Sequence, residues 1–293
     1  MITYLLNKSI DKQKYNTCIA EARQHKVYAY SWYLDCVAEN WDVLVLNDYE
    51  AVMPLPWRKK YGIKYIFQPA WVQQLGIFSK NKLLDEQCSN FVQNIPNQFK
   101  LISYNVNDKV GFKSKNIEEK TNYVLPLKLN YKTLFRKFSK GRKSSVNQAV
   151  KNGILVKGVN ESDAVINLFK TNRGLNLQIS NQAYLELEKL VAKTQELGKF
   201  KIFCAYTNDN QLIGGAFFII SDDKITYLFS TINEEGRQLQ AMSLVLNTVI
   251  KEYSESNFIL DFEGSMIPSI AAFFRSFGTQ KETYYHYKKW RLF

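Results

Sequence analysis

Asp261, Glu263 and Ser265 close the string FILDFEGS. If its apolar start is a strand, alternation puts all three on one side at the strand end. A carboxylate there, beside a cleft, can take a proton, and Glu263 is the candidate base. The same residues could instead cap the strand by bonding backbone amides. Tyr284, Tyr285 and His286 lie in TYYHYKKW near the chain end, where Tyr285 or His286 could act as general acid. Aromatic residues in a terminal strand also serve as core. His25 and His286 are the two histidines, so a Ser-His or Cys-His nucleophile would have to use one of them. His25 stands in the polar context EARQHK and reads as solvated. Cys18, Cys36, Cys88 and Cys204 are 18, 52 and 116 positions apart. With no close pair, neither a metal site nor a disulfide framework is expected.

A second chemistry is electrostatic. Lys plus Arg is 39 against 27 Asp plus Glu, a net charge of +12. Ten of the basic residues lie between Lys120 and Asn160, where no acidic residue occurs. Lys132, Arg136, Lys140 and Lys143 are spaced by four, four and three, which puts them on one face of a helix. Together with Arg142 they are candidate ligands for a phosphate-bearing substrate, since crowded like charges favour an anionic partner. A solvated cationic face is the plainer alternative.

The elements that must position these groups follow from length and pattern. At 293 residues, 46% apolar and 23% charged, the chain has the composition of a globular protein of two domains. The longest uncharged stretch, Tyr65 to Ser79, is fifteen residues and contains Gln, Pro and Gly, too short for a membrane span. The N-terminus lacks a secretory pattern, so a cytoplasmic location is expected. The first half reads as two helices, the first with Ser9 as N-cap, then antiparallel strands, a helix and a strand. A long helical region follows over Tyr131–Asn152, with a break expected near Gly141. Then come strand ILVKGV, two helices, and a meander of KFKIFCAYT, QLIGGAFFIIS and KITYLFSTI. An amphipathic helix, strand NFILDFEG, a short helix and a last strand complete the chain. The halves share the order helix, helix, three antiparallel strands, helix, strand, as in an internal structural repeat. No GxGxxG or GxxxxGKS follows a strand, so dinucleotide-binding and P-loop readings lose their support.

The strings FSKGRKSSVNQAVKNGILV, NQLIGGAFFII, STINEEGRQLQAMSLVLNTVIKEY and FILDFEGS with AAFFRSFG, in that order and spacing, resemble the FemAB-like branch of the GNAT acyltransferases. The resemblance is good over about residues 122–293 and rests on YSWYLDCV and AVMPLPWRKKYG before that. It implies an α+β fold of two tandem GNAT-like units, residues 1–121 and 122–293, each a mainly antiparallel mixed sheet flanked by helices. It also implies transfer of an acyl or aminoacyl group from an activated carrier to an amine of an anionic cell-envelope or polysaccharide precursor. Members of the branch that use aminoacyl-tRNA carry a helical arm. Between Gly174 and Lys199 there is room for one helix, so an acyl-CoA or another activated acyl donor is the preferred carrier and aminoacyl-tRNA is disfavoured. GNAT proteins hold the donor pyrophosphate on backbone amides at a strand-to-helix junction. The matching place here is Gln238-Leu-Gln-Ala241-Met-Ser243, which lacks the family's glycines. Gln238, Ala241 and Ser243 are therefore the expected cradle, with Arg237 as the side-chain partner. Because the cradle departs from the pattern, a non-catalytic protein holding RNA, a nucleotide-sugar or an acidic partner is the alternative.

Overall fold

The computed structural model describes residues 1–112, 114–174 and 179–291. The elements are β1 (Ile2–Leu5), α1 (Lys12–Glu21), α2 (Ser31–Val37), β2 (Asn40–Leu46), β3 (Ala51–Lys60), β4 (Ile63–Phe67), β5 (Phe78–Ser79), α3 (Asp85–Gln93) and β6 (Phe99–Val106). After them come β7 (Ile117–Pro126), α4 (Tyr131–Lys137), α5 (Lys140–Lys151), β8 (Leu155–Val159), α6 (Asp163–Phe169) and α7 (Asn181–Glu196). The chain closes with β9 (Phe200–Tyr206), β10 (Leu212–Ser221), β11 (Lys224–Ile232), α8 (Glu234–Gln238), α9 (Ala241–Glu252), β12 (Ile259–Asp261), α10 (Pro268–Arg275) and β13 (Gln280–Trp290). The expected α+β class with two tandem units is borne out.

The chain forms two compact units, and no single cut near residue 121 separates them. The first holds Met1–Lys120, Gln182–Lys193 and Thr283–Phe293; the second holds Thr121–Asn181 and Thr194–Glu282. In the first unit the strand order is β1-β2-β3-β4-β6-β13. Its pairs are antiparallel except for β4 with β6. In the second unit the order β8-β9-β10-β11-β12-β7 repeats the scheme, with β11 and β12 as the parallel pair. The repeat seen in the order of elements is thus a repeat of sheet topology. Part of α7 and most of β13, both from the second half of the chain, complete the first unit. Glu186 on α7 reaches Arg58 on β3 at 3.0 Å, and Trp71 Nε1 donates to the Ala183 carbonyl at 2.6 Å.

Local sequence explains the element ends. Asp11, not Ser9, caps α1: its carboxylate accepts from the Gln13 and Lys14 amides at 3.1 and 3.0 Å. The expected long helix over Tyr131–Asn152 is two helices, and the break lies at Phe138–Ser139 rather than at Gly141. Ser139 is the reason, since its Oγ accepts from the Arg142 amide at 3.2 Å and starts α5 afresh. The joint docks on the end of α10, where the Ser139 amide donates to the Ser276 carbonyl at 2.8 Å. The Phe138 and Phe277 rings meet there with centroids 5.1 Å apart. The break also cancels the single cationic face. Lys132 and Arg136 stand on α4, Lys140 and Lys143 on α5, and helical spacing does not run through the joint.

The core of the second unit lies between its sheet and the helices α4, α5, α9 and α10. Leu134, Phe138, Val146, Phe218, Val245, Leu260, Phe262 and Phe277 are all buried in it.

Candidate functional site

The sheet of the second unit opens where its parallel pair parts. β12 pairs with β11 only over Lys224, Ile225 and Thr226, opposite Ile259, Leu260 and Asp261. From Tyr227 to Ile232 the β12 side of β11 has no strand partner among the described residues. Within that stretch β11 carries a β-bulge. Phe217 pairs with Phe229 and Phe218 with Tyr227, so Leu228 is left out of the ladder. The bulge thus interrupts the ladder beside the sheet opening.

The gap is a cavity of about 440 Å³. Tyr227, Ser230 and Ile232 line it from β11, Ser243 from the start of α9, and Ser269 and Phe273 from α10. Arg237, Gln240 and Met242 lie on the same wall as Ser243. The loop before α9 turns sharply because Gln240 is left-handed, with φ +62°, a conformation glycine adopts without steric cost. The Ser243 amide is spent on the Gln240 carbonyl at 3.0 Å. The Ala241 and Met242 amides precede any intrahelical acceptor and form the positive end of the twelve-residue α9.

α5 packs on α9 and delivers Arg142 to that end. Its guanidinium lies over the Phe273 ring at 4.2 Å and the Phe277 ring at 4.9 Å. Arg142 Nε donates to Ser276 Oγ at 2.9 Å, and Nη1 donates to Ser243 Oγ. No carboxylate among the described residues faces it, and burial pushes its pKa down to about 10. Arg142, expected on an exposed basic helix, is instead a half-buried cation without an anion. The surface expectation erred because the two rings that cover it come from α10, more than a hundred positions later.

Of the expected cradle, Arg237 and Ser243 line the cavity, whereas Ala241 is fully buried behind it and Gln238 is not among the lining residues. Arg237 Nε is paired with Glu234 at 3.0 Å on the surface. Lys132, Arg136 and Lys140 are exposed, and Lys143 Nζ donates to the Arg136 carbonyl at 2.8 Å. None of these four lines the cavity.

Asp261, Glu263 and Ser265 do not share a strand face, which corrects the alternation argument. β12 ends at Asp261, and Glu263 and Gly264 are both left-handed, with φ +56° and +60°. The Asp261 carboxylate accepts from the Glu263 amide at 2.9 Å, and Ser265 Oγ accepts from the Ile267 amide at 3.0 Å. Ser265 thus starts the turn into α10. None of the three lines the cavity, so among the described residues Tyr227 and Arg237 are its only ionisable lining residues.

Tyr285 and His286 belong to the first unit, on β13 beside β6. His286 Nδ1 is 2.9 Å from Asn105 Oδ1, and Nε2 is 3.4 Å from Ser103 Oγ. Asn105 donates through Nδ2 to the Gln73 carbonyl at 2.6 Å, which makes its Oδ1 the acceptor and His286 Nδ1 the donor. Burial, with Lys120 adding repulsion, lowers the His286 pKa. Lys109 Nζ lies 5.7 Å from the Tyr285 ring centroid.

Comparison with known proteins agrees with this fold. Residues 163–266 match the family described as an acetyltransferase (GNAT) domain. The chain is similar to the crystal structure of FemX, with a TM-score of 0.65, 12% identity, and coverage of 97% of this chain and 96% of that one. A conserved protein of unknown function from Bacteroides thetaiotaomicron gives 0.64 at 11% identity, covering 99% and 100% of the two chains. The structure of L-PGS from Bacillus licheniformis gives 0.55 at 9% identity, covering 95% and 92%. No curated protein matches the sequence. The FemAB-like GNAT resemblance is thus supported by a family match over residues 163–266 and by fold likeness over nearly the whole chain.

Proposed function

We propose that the protein is an N-acyltransferase. It would move an acyl or aminoacyl group from an acyl-CoA-type donor to an amine of an anionic cell-envelope or polysaccharide precursor. The observation that carries this reading is the cavity at the parting of β11 and β12, with an uncompensated guanidinium beside the positive end of α9. Those features fit an anionic, thioester-bearing donor, which would supply the activated acyl group. The Met242 amide and Arg237 would hold its phosphates. Tyr227, Ile232 and Phe273 would cover its apolar arm, and the freed backbone at Leu228 would orient the acyl carbonyl. Glu263 is the proposed base, taking the amine proton directly or through a water. A left-handed non-glycine residue costs free energy, and such strain persists where function needs it. Tyr285 and His286 are kept as proposed alternative proton carriers, and Lys132, Arg136, Lys140, Lys143 and Ser265 as proposed contacts to the acceptor. The envelope assignment and the preference for an acyl-CoA donor over aminoacyl-tRNA rest on the family resemblance.

One observation favours a non-catalytic binder: among the described residues neither a carboxylate nor a histidine lines the cavity. Thermal melts with CoA, acetyl-CoA, RNA and a nucleotide-sugar separate the two readings. A ligand at a hundred times its Kd adds about 2.7 kcal/mol of apparent stability. A shift with the CoA compounds is expected. A shift with RNA or nucleotide-sugar alone would overturn the acyl-donor reading. Among the described residues no helix is long and apolar enough to cross a membrane, and no metal-ligating cluster occurs.

A further inference from the structure

The two serines bound by Arg142 differ in one respect. Ser276 Oγ accepts from Arg142 Nε at 2.9 Å and passes its own proton to the Phe273 carbonyl at 2.5 Å, so both of its roles are filled. Ser243 Oγ also accepts from Arg142, but no acceptor for its proton is found among the described residues. A hydroxyl whose lone pair is held by a guanidinium has to donate elsewhere. Ser243 is 2% exposed and lines the cavity, so the open direction for that proton is the cavity itself.

Arg142 also carries a desolvation cost, being half-buried without a carboxylate partner among the described residues, against which two ring faces and two hydroxyls act. A cation held at that cost so as to fix a donor at a cavity wall is explained if the ligand uses that donor.

We propose that Arg142 is a positioning residue that turns Ser243 into an O–H donor aimed at an anionic phosphate oxygen of the ligand in the cavity between β11 and α10. The proposal deepens the donor site described above and rests on that reading for the identity of the ligand. Arg142 acts through Ser243: the guanidinium fixes the hydroxyl rotor and strengthens it as a donor.

The test is a double-mutant cycle read by calorimetric titration with two probes, CoA and inorganic pyrophosphate, alongside melts of the unliganded proteins. Arg142→Met keeps a long side chain against Phe273 and Phe277, and Ser243→Ala keeps the helix. Each single variant is expected to weaken both probes by about 10- to 100-fold. The double variant should be no more than about threefold weaker than the worse single one, because both changes remove the same interaction. Unliganded Arg142→Met should melt no lower than the wild type. A residue kept for packing alone would lower the melt and leave the coupling at zero, which would overturn the proposal. Coupled loss for pyrophosphate with no CoA binding to the wild type would uphold the proposal and sink the acyl-CoA reading. Binding of CoA with full affinity in both single variants would sink the proposal alone. Failure of the wild type to bind either probe would sink both.

Discussion

Gly264 and Thr121 approach so closely that a Cβ on residue 264 would sit 2.1 Å from the Thr121 carbonyl oxygen. The loop leaving β12 is thereby pressed onto β7, and the Phe262 amide donates to the Tyr123 carbonyl at 2.9 Å beside it. Gly264→Ala is expected to cost about 3 kcal/mol or more, since the clash is with backbone and φ is +60°. Gly141→Ala is the control: nothing lies within 4 Å of its added Cβ and it stands in α5, so a gain of about 0.5 kcal/mol is expected. Urea denaturation of both variants checks the pair, and equal effects would remove the packing argument.

Glu263→Gln preserves size and hydrogen bonding but removes the base. Turnover per folded molecule is expected to fall by about 10²- to 10⁴-fold with CoA affinity unchanged. Full specific activity of the folded variant with an amine acceptor would take Glu263 out of the chemistry.

Gln240 holds a left-handed turn, with φ +62°, at the start of α9. Gln240→Gly should raise stability by about 0.5–1 kcal/mol and leave CoA affinity within threefold or so of the wild type. A drop in stability would show that the Gln240 side chain, whose Nε2 donates to the Arg237 carbonyl at 3.2 Å, holds the loop.

His286 has a lowered pKa because it is desolvated and faces Lys120. The folded chain therefore favours the neutral ring. Its contribution is complete above the unfolded value of about 6.5 and is lost as pH falls through that value toward the lower folded one. The wild-type melting temperature should fall more between about pH 7.5 and 5.5 than that of His286→Gln. Parallel falls would assign the acid sensitivity to other groups.

Much of this molecule can be read from the chain before its coordinates. The meander of β9, β10 and β11, the helix after it and the DFEG strand are local patterns, and Arg237 and Ser243 reach the cavity as the family strings imply. What could not be read depends on residues remote in sequence. Arg142 sits among lysines in a polar helix, and only the packing of Phe273 and Phe277 buries it. Period-two alternation past Asp261 fails because Glu263 and Gly264 are left-handed. The break expected at Gly141 falls instead at Ser139, whose cap is fixed by the docking of Phe138 on Phe277, a residue remote in sequence.

The make-up of the first unit sets a timetable. Its strand β6 pairs with β13 from Val106 opposite Tyr285 to Leu101 opposite Trp290, so that edge stays open until β13 has been synthesised. At roughly 5–20 residues per second the ribosome needs on the order of ten to forty seconds to travel from one to the other. Throughout that interval the nascent N-terminal half carries an unpaired strand edge, the kind that other chains can join. Native pairing of β6 therefore waits for β13, and the loss of β13 would be felt in a strand made far earlier.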